Sequence, residues 1–98
     1  MVIYVDIDET ICYYANKREY PLALPIKENI SKINKLYDEG NEIVYWTARG
    51  STTGIDWYDT TYNQLKDWNC KFHKLQLKKP FYDLFIDDKV INTKDFFV

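Results

Sequence analysis

Two carboxylates one residue apart, Asp6 and Asp8, follow directly on the apolar run Val2-Ile3-Tyr4-Val5, and Glu9-Thr10 complete the segment. Residues i and i+2 of an extended chain point to the same side, so both carboxylates can face a crevice beyond the carboxyl end of a buried strand. A pair so placed can divide the work of a displacement, one group attacking while the other moves protons. Asp and Thr also form turns and caps, so the pentad on its own reads as well as an acidic strand-to-turn junction. Three further groups follow: Thr47 and Arg49 after Ile43-Val44-Tyr45-Trp46, the Lys78-Lys79 pair before Pro80, and Asp87-Asp88 after Leu84-Phe85-Ile86. A Thr hydroxyl can donate to an anionic oxygen and a Lys can neutralise developing charge. Arg49 is placed either for a bidentate grip on a phosphate or carboxylate or for a surface ion pair.

The elements that must carry these groups alternate along the chain. After the first strand, residues 11–24 read as a small hairpin or flap, with Pro21 confining its second arm to an edge. Pro25 suits a first helical position, and Ile26, Ile30, Ile33 and Tyr37 mark an amphipathic helix stopped by Gly40. Glu42–Trp46 predicts a second strand. Thr53, with Asp56 three residues on, predicts the cap of a second helix whose inner face is Tyr58, Tyr62, Leu65 and Trp68. His73–Leu77 predicts a weak third strand, Lys78-Lys79-Pro80 a turn, and Asp83–Asp88 a fourth strand ending, like the first, in carboxylates. Alternating strands and helices imply an α/β domain with a mainly parallel sheet covered by helices.

With 98 residues the chain suffices for one domain, 1–98, and for no second core. No stretch approaches the length of a membrane span, and the first apolar run, cut by Asp6, lacks the form of a secretory leader; a cytoplasmic protein is expected. Cys12 and Cys70 stand alone, without disulfide or zinc spacing, and both are expected to be reduced. A net charge of −2 offers no electrostatic footprint for nucleic acid. Nine Tyr, five Phe and three Trp exceed what a small core requires, which points to rings at a mouth or at an interface between copies of the chain. Tyr13, Tyr14 and Tyr20 on the flap can stack on a sugar or base, or simply pack. Neither His73 nor Cys12 has a partner in the sequence that would make it catalytic.

Taken in order, Asp6-x-Asp8-x-Thr10, Thr47, Lys79 and Asp87-Asp88 resemble the motifs of the haloacid dehalogenase superfamily, which consists mostly of phosphatases. The resemblance spans essentially the whole chain and implies a Rossmann-like three-layer sandwich without a cap domain. Lys79-Pro80 with Phe85-Ile86-Asp87-Asp88-Lys89-Val90-Ile91 is similar to the small capless group of capsule-biosynthesis phosphatases. Glu9 departs from the superfamily, which most often has Gly there; the Asp-x-Asp-Glu-Thr form resembles phosphoprotein phosphatases and some acid phosphatases.

The resemblance implies Mg²⁺ held by Asp6, by the backbone carbonyl of Asp8, and by Asp87 with Asp88, a set suited to an oxygen-seeking, well-hydrated cation. It implies that Asp6 attacks phosphorus and that Asp8 protonates the leaving oxygen and then activates water. Those two roles need environments that push the carboxyl pKa values apart. Thr47 and Lys79 are placed to stabilise the transferring group, and Thr10, Arg49, Tyr13 and Tyr14 are candidate substrate contacts; Lys79, directly before Pro80, matches the family pattern better than Lys78. The expected activity is Mg²⁺-dependent phosphomonoester hydrolysis on a sugar phosphate or another small phosphorylated metabolite. The rivals are a phosphoprotein or nucleic-acid 3′-end phosphatase, and a noncatalytic phosphate- or partner-binding module. A phosphomutase would have to shield its aspartyl phosphate from water, which a capless site does not do.

Overall fold

In the computed structural model, which describes residues 1–98, Val2–Val5 forms β1, Cys12–Tyr13 β2, Leu24–Pro25 β3, Glu42–Trp46 β4 and Lys74–Gln76 β5. The helices are α1 (Lys27–Asp38), α2 (Tyr58–Asp67) and the single turn α3 (Thr93–Phe96), and a 3₁₀ turn spans Tyr20–Leu22. Strands β1, β4 and β5 make a parallel sheet in that spatial order, with Ile3 opposite Ile43, and Val5, Tyr45 and Leu75 in one row across the sheet. Strands β2 and β3 form the antiparallel flap expected after β1.

Ile3, Val5, Ile43, Tyr45 and Leu75 share one face of the sheet, because side chains alternate along a strand. Against that face pack Ile30 and Ile33 of α1 and Leu65 of α2, all in a single apolar core. Each buried Ile or Leu contributes about 1.5–3 kcal/mol by removal from water. The helix predicted from Ile26, Ile30, Ile33 and Tyr37 is therefore present, but it begins at Lys27. Pro25 instead pairs with Cys12 in β3, an edge position where its missing N–H costs no ladder bond. Gly40, at φ +95°, reverses the chain after α1.

Four further expectations are corrected. The fold has two layers rather than three: successive right-handed crossovers from β1 to β4 to β5 run the same way across the sheet, so α1 and α2 share one face. The opposite face keeps Tyr4 53 % exposed, packed edge-on to Trp46 at 5.7 Å. On α2 the buried residues are Thr61 and Leu65, whereas Tyr58 and Tyr62 stack on one another at the surface. The helix begins four residues beyond Thr53's reach, with Asp56 accepting from the Tyr58 N–H, while Thr53 closes only a local turn to Ile55.

Finally, Asp83–Asp88 is not a strand. From Pro80 to Ile91 the chain makes no backbone–backbone hydrogen bond, Leu84 is 75 % and Ile86 87 % exposed, and β1 pairs only with β4. A strand needs a partner as well as propensity, and this segment has none. No helix is long and apolar enough to cross a membrane.

Candidate active site

The end of β1 is fixed by Ile7, which is fully buried and whose carbonyl accepts from the N–H groups of Thr10 and Ile11. With Ile7 pinned inward, Asp6 and Asp8 both turn toward the carboxyl end of the sheet. Glu9 then adopts φ +63°, in the left-handed region in which Gly is favoured. Its side chain pairs with Arg18 across the flap at 2.8 Å.

Backbone bonds carry the sheet past its strands. The Thr47 N–H donates to the Gln76 carbonyl and the Lys79 N–H to the Thr47 carbonyl, so the ends of β4 and β5 are laced together. Ser51 Oγ donates to the Lys79 carbonyl at 2.7 Å and fixes that residue further. Lys79 Nζ lies 3.6 Å from Asp6 Oδ1 and above the rings of Trp46 and Tyr82. Lys78, at φ +67°, is exposed. Of the two lysines, Lys79 is the one brought to the carboxylates.

Arg49 is 2 % exposed and every N–H of its guanidinium has an acceptor. Nε and Nη2 fork onto Asp8 Oδ2 and Oδ1 at 3.1 and 2.9 Å. Nη1 donates to Thr61 Oγ1 at 3.1 Å and Gln64 Oε1 at 2.6 Å, and Nη2 also donates to Tyr14 Oη at 3.4 Å. The guanidinium carbon sits 4.8 Å above the centre of the Tyr20 ring. Arg49 is thus neither a surface ion pair nor free to grip substrate. Tyr14 is likewise engaged, its hydroxyl donating to Asp8 Oδ1, so it does not offer a stacking face with a free phenol; Tyr13 remains exposed on β2.

Thr47 is buried; its hydroxyl accepts from the Arg49 N–H, leaving its own proton to donate. Thr10 is buried too and spends its hydroxyl on Thr93 at 2.9 Å, while its carbonyl accepts from Asn29. It therefore ties the loop to α1 and α3 rather than presenting itself to substrate. His73 Nδ1 accepts from the Ile43 N–H and its ring stacks on Tyr37, a structural role.

Burial pushes the Asp6 carboxyl above its ordinary value, against the pull of Lys79. Burial acts in the same sense on Asp8, but the hydrogen bonds and charge of Arg49, helped by Tyr14 and Cys12, outweigh it and hold Asp8 below the usual range. The two carboxyls are separated, as a divided acid–base pair requires, though here Asp8 is the more acidic. Cys12 is a buried thiol pushed up to about 12, first by burial and then by the Asp8 charge, which agrees with an unreactive, structural cysteine.

The expected metal set, the carboxylates of Asp6, Asp87 and Asp88 with the Asp8 main-chain carbonyl, is not assembled. Asp87 and Asp88 are fully exposed on the unpaired segment, Asp87 accepting from the Lys89 N–H, and no group of three or more His, Cys, Asp or Glu side chains converges anywhere. At the strand end the donors do suit a hydrated Mg²⁺: the Asp6 side chain is 41 % exposed and the Asp8 main-chain carbonyl accepts no hydrogen bond. One or two carboxylate or carbonyl ligands and several waters meet the usual demands of that ion.

A cavity of about 230 Å³ reaches Asp6 and Thr10 between Ile3–Val5 on one side and Ile91, Phe96 and Phe97 on the other. Sequence reasoning did not identify Ser51, Thr61 or Gln64. The only trace of the latter two is a polar pair three residues apart on a helix, which gains meaning only beside a buried arginine.

No protein-family model and no curated protein sequence matches the chain. Among solved structures, a crystal structure of a target protein from Vibrio cholerae is similar to it, with 25 % identity and a TM-score of 0.85 over 98 % of this chain and 86 % of that one. The likeness extends over the whole small α/β fold, with its three-stranded parallel sheet.

Proposed function

We propose that the chain is a phosphomonoester hydrolase that acts through an aspartyl-phosphate intermediate on Asp6, with a small phosphorylated metabolite such as a sugar phosphate as substrate. The observation that carries this reading is the arrangement at one sheet end: Asp6 with Lys79 at 3.6 Å, beside Asp8 held in the fork of Arg49. A half-exposed carboxylate next to a cation is a nucleophile that a phosphate dianion can approach without facing uncompensated negative charge.

Asp6 attacks phosphorus, and the bond to the leaving oxygen breaks as the new carboxyl–phosphoryl bond forms. Lys79 neutralises charge on the transferring group, and Thr47 donates its hydroxyl proton to it. Asp8 gives a proton to the leaving oxygen and afterwards takes one from the water that hydrolyses the intermediate. The substrate's negative charge raises the Asp8 carboxyl from its low resting value and so favours that first proton. Asp6 and the Asp8 main-chain carbonyl would hold Mg²⁺, which would supply positive charge that favours the ionised form of Asp6 and offsets the negative charge of the phosphate.

The test is release of inorganic phosphate from a panel of sugar phosphates, nucleotides, a phosphopeptide and an aryl phosphate, with Mg²⁺ or with chelator, for wild type beside Asp6→Asn. Mg²⁺-dependent release abolished by the substitution supports the reading. Equal release by both proteins, or none from any substrate, refutes it.

A further inference from the structure

The flap and the candidate acid–base group are tied together by one buried side chain. Residues Cys12–Pro25 form a separate two-stranded unit between β1 and α1, and their strand pairing is only two residues long on each arm, too short to hold a hairpin by itself. Cys12 and Ala23 anchor its base in the core and Arg18 pairs with Glu9; its further polar fastening lies at Asp8 and α2. Tyr14 Oη donates to Asp8 Oδ1 and accepts from Arg49. The Tyr20 ring lies under the Arg49 guanidinium and packs edge-on to Trp57 at 5.2 Å. Gln64 Nε2 donates to the Tyr20 carbonyl at 2.6 Å while its Oε1 accepts from Arg49.

We infer that Arg49 is a positioning residue that sets the Asp8 carboxylate and docks the flap in one step, through Tyr14 on one arm and through Gln64 and Tyr20 on the other. The role given to Asp8 rests on the phosphatase reading; the docking of the flap does not. The geometry leaves little freedom to either party alone. Asp8 shares both oxygens with the fork of Arg49, and Oδ1 serves Tyr14 as well. If the flap lifts, Asp8 loses a donor and Arg49 loses an acceptor and its aromatic face, so an open flap carries a differently held Asp8. By linkage, what steadies Asp8 also closes the flap.

The flap tip contains a ready reporter, since Lys17 and Arg18 are exposed and trypsin needs several residues of free chain to cut there. In the full-length protein, Tyr14→Phe removes the hydroxyl and keeps the ring; Gln64→Ala removes the second arm without touching Asp8 or substrate. Each is expected to speed cleavage after Lys17 and Arg18 by about tenfold, the size expected when one hydrogen bond of a charged network is lost. Cleavage after Lys66 and Lys71 serves as the control and stays at the wild-type rate. On the substrate turned over best, kcat falls about tenfold in both variants while KM stays within about twofold, since neither residue binds substrate. Arg49→Lys, which keeps the charge and loses the fork, shows both effects together.

Flap cleavage at the wild-type rate in Tyr14→Phe and Gln64→Ala, or equal acceleration at every tryptic site, overturns the docking. A released flap with unchanged kcat overturns the positioning of Asp8. A wild type that hydrolyses no phosphoester removes the phosphatase reading and the Asp8 role with it, while the proteolysis still decides whether Arg49 docks the flap.

Discussion

Arg49→Met should destabilise the fold through charge rather than through lost packing, because Met fills much of the same volume. The substitution leaves an Asp8 carboxylate whose side chain is only 12 % exposed without its cation, and deprives Thr61 and Gln64 of their donor. Breaking one partner out of a buried ion pair costs about 3–5 kcal/mol. The stranded Thr and Gln acceptors add less than their full desolvation, since Gln64 can turn toward solvent. Against a total stability of about 5–15 kcal/mol for a domain of this size, the loss lowers Tm by at least about 12 °C. Urea unfolding followed by circular dichroism, with the denaturant slope held constant, reads it directly.

Two features separate this account from a cavity effect. Asp8→Asn in the Arg49→Met background should recover about 2 kcal/mol, because the uncompensated charge is gone. The pH dependence also reverses. In wild type the Asp8 carboxyl lies below its unfolded value, so its contribution is present above the unfolded carboxyl pKa and lost as pH falls below it. In Arg49→Met the carboxyl is buried without a cation and its pKa rises above the unfolded value, so acid stabilises that variant relative to wild type. A loss under about 1 kcal/mol, or a loss indifferent to pH and to Asp8→Asn, would refute the reasoning.

Three more outcomes are expected. A Cβ on Gly50, at φ +81°, would lie 2.1 Å from the Ile55 carbonyl oxygen, so Gly50→Ala costs at least about 2 kcal/mol in urea unfolding, whereas Gly54→Ala, which meets nothing within 4 Å, costs about half that. Burial, as the leading cause, pushes both the Cys12 and Cys70 thiols up to about 12. Their contribution to stability is therefore complete below the unfolded thiol value and is lost as pH rises through the folded one, at up to about 1.4 kcal/mol per pH unit for each thiol, measurable as unfolding midpoints at rising alkaline pH. Lys79→Met lowers kcat for the best substrate at least about tenfold and Lys78→Met leaves it within about twofold of wild type; the reverse order would show that the wrong lysine has been placed at Asp6.

Local pattern made much of this readable in advance. The apolar runs that became β1 and β4, the Ile30–Ile33 face of α1 and the short flap are written in spacings of two and of three to four residues, and the Asp6–Asp8 pair is visible because it needs no other part of the chain. Arg49 was misread because its partner stands 41 residues away, and burial of a cation is decided by such a partner rather than by its neighbours in sequence. On α2 the aromatic side chains suggested the inner face, yet Tyr58 and Tyr62 satisfy their rings by stacking outside and leave the interior to Thr61 and Leu65. Leu84-Phe85-Ile86 has the composition of a strand like β4, but composition expresses propensity and not pairing. The segment stays outside the sheet, and Asp87 and Asp88 with it.

The central claim is that Asp6 carries the phosphoryl group, and acid-quenched single turnover with mass mapping of the peptides tests it most directly. With Mg²⁺ and the best substrate of the panel, a phosphoryl adduct should appear on the peptide containing Asp6, decay as free phosphate accumulates, and be absent from Asp6→Asn. Turnover with no adduct at any time, or an adduct on another residue, would contradict the account.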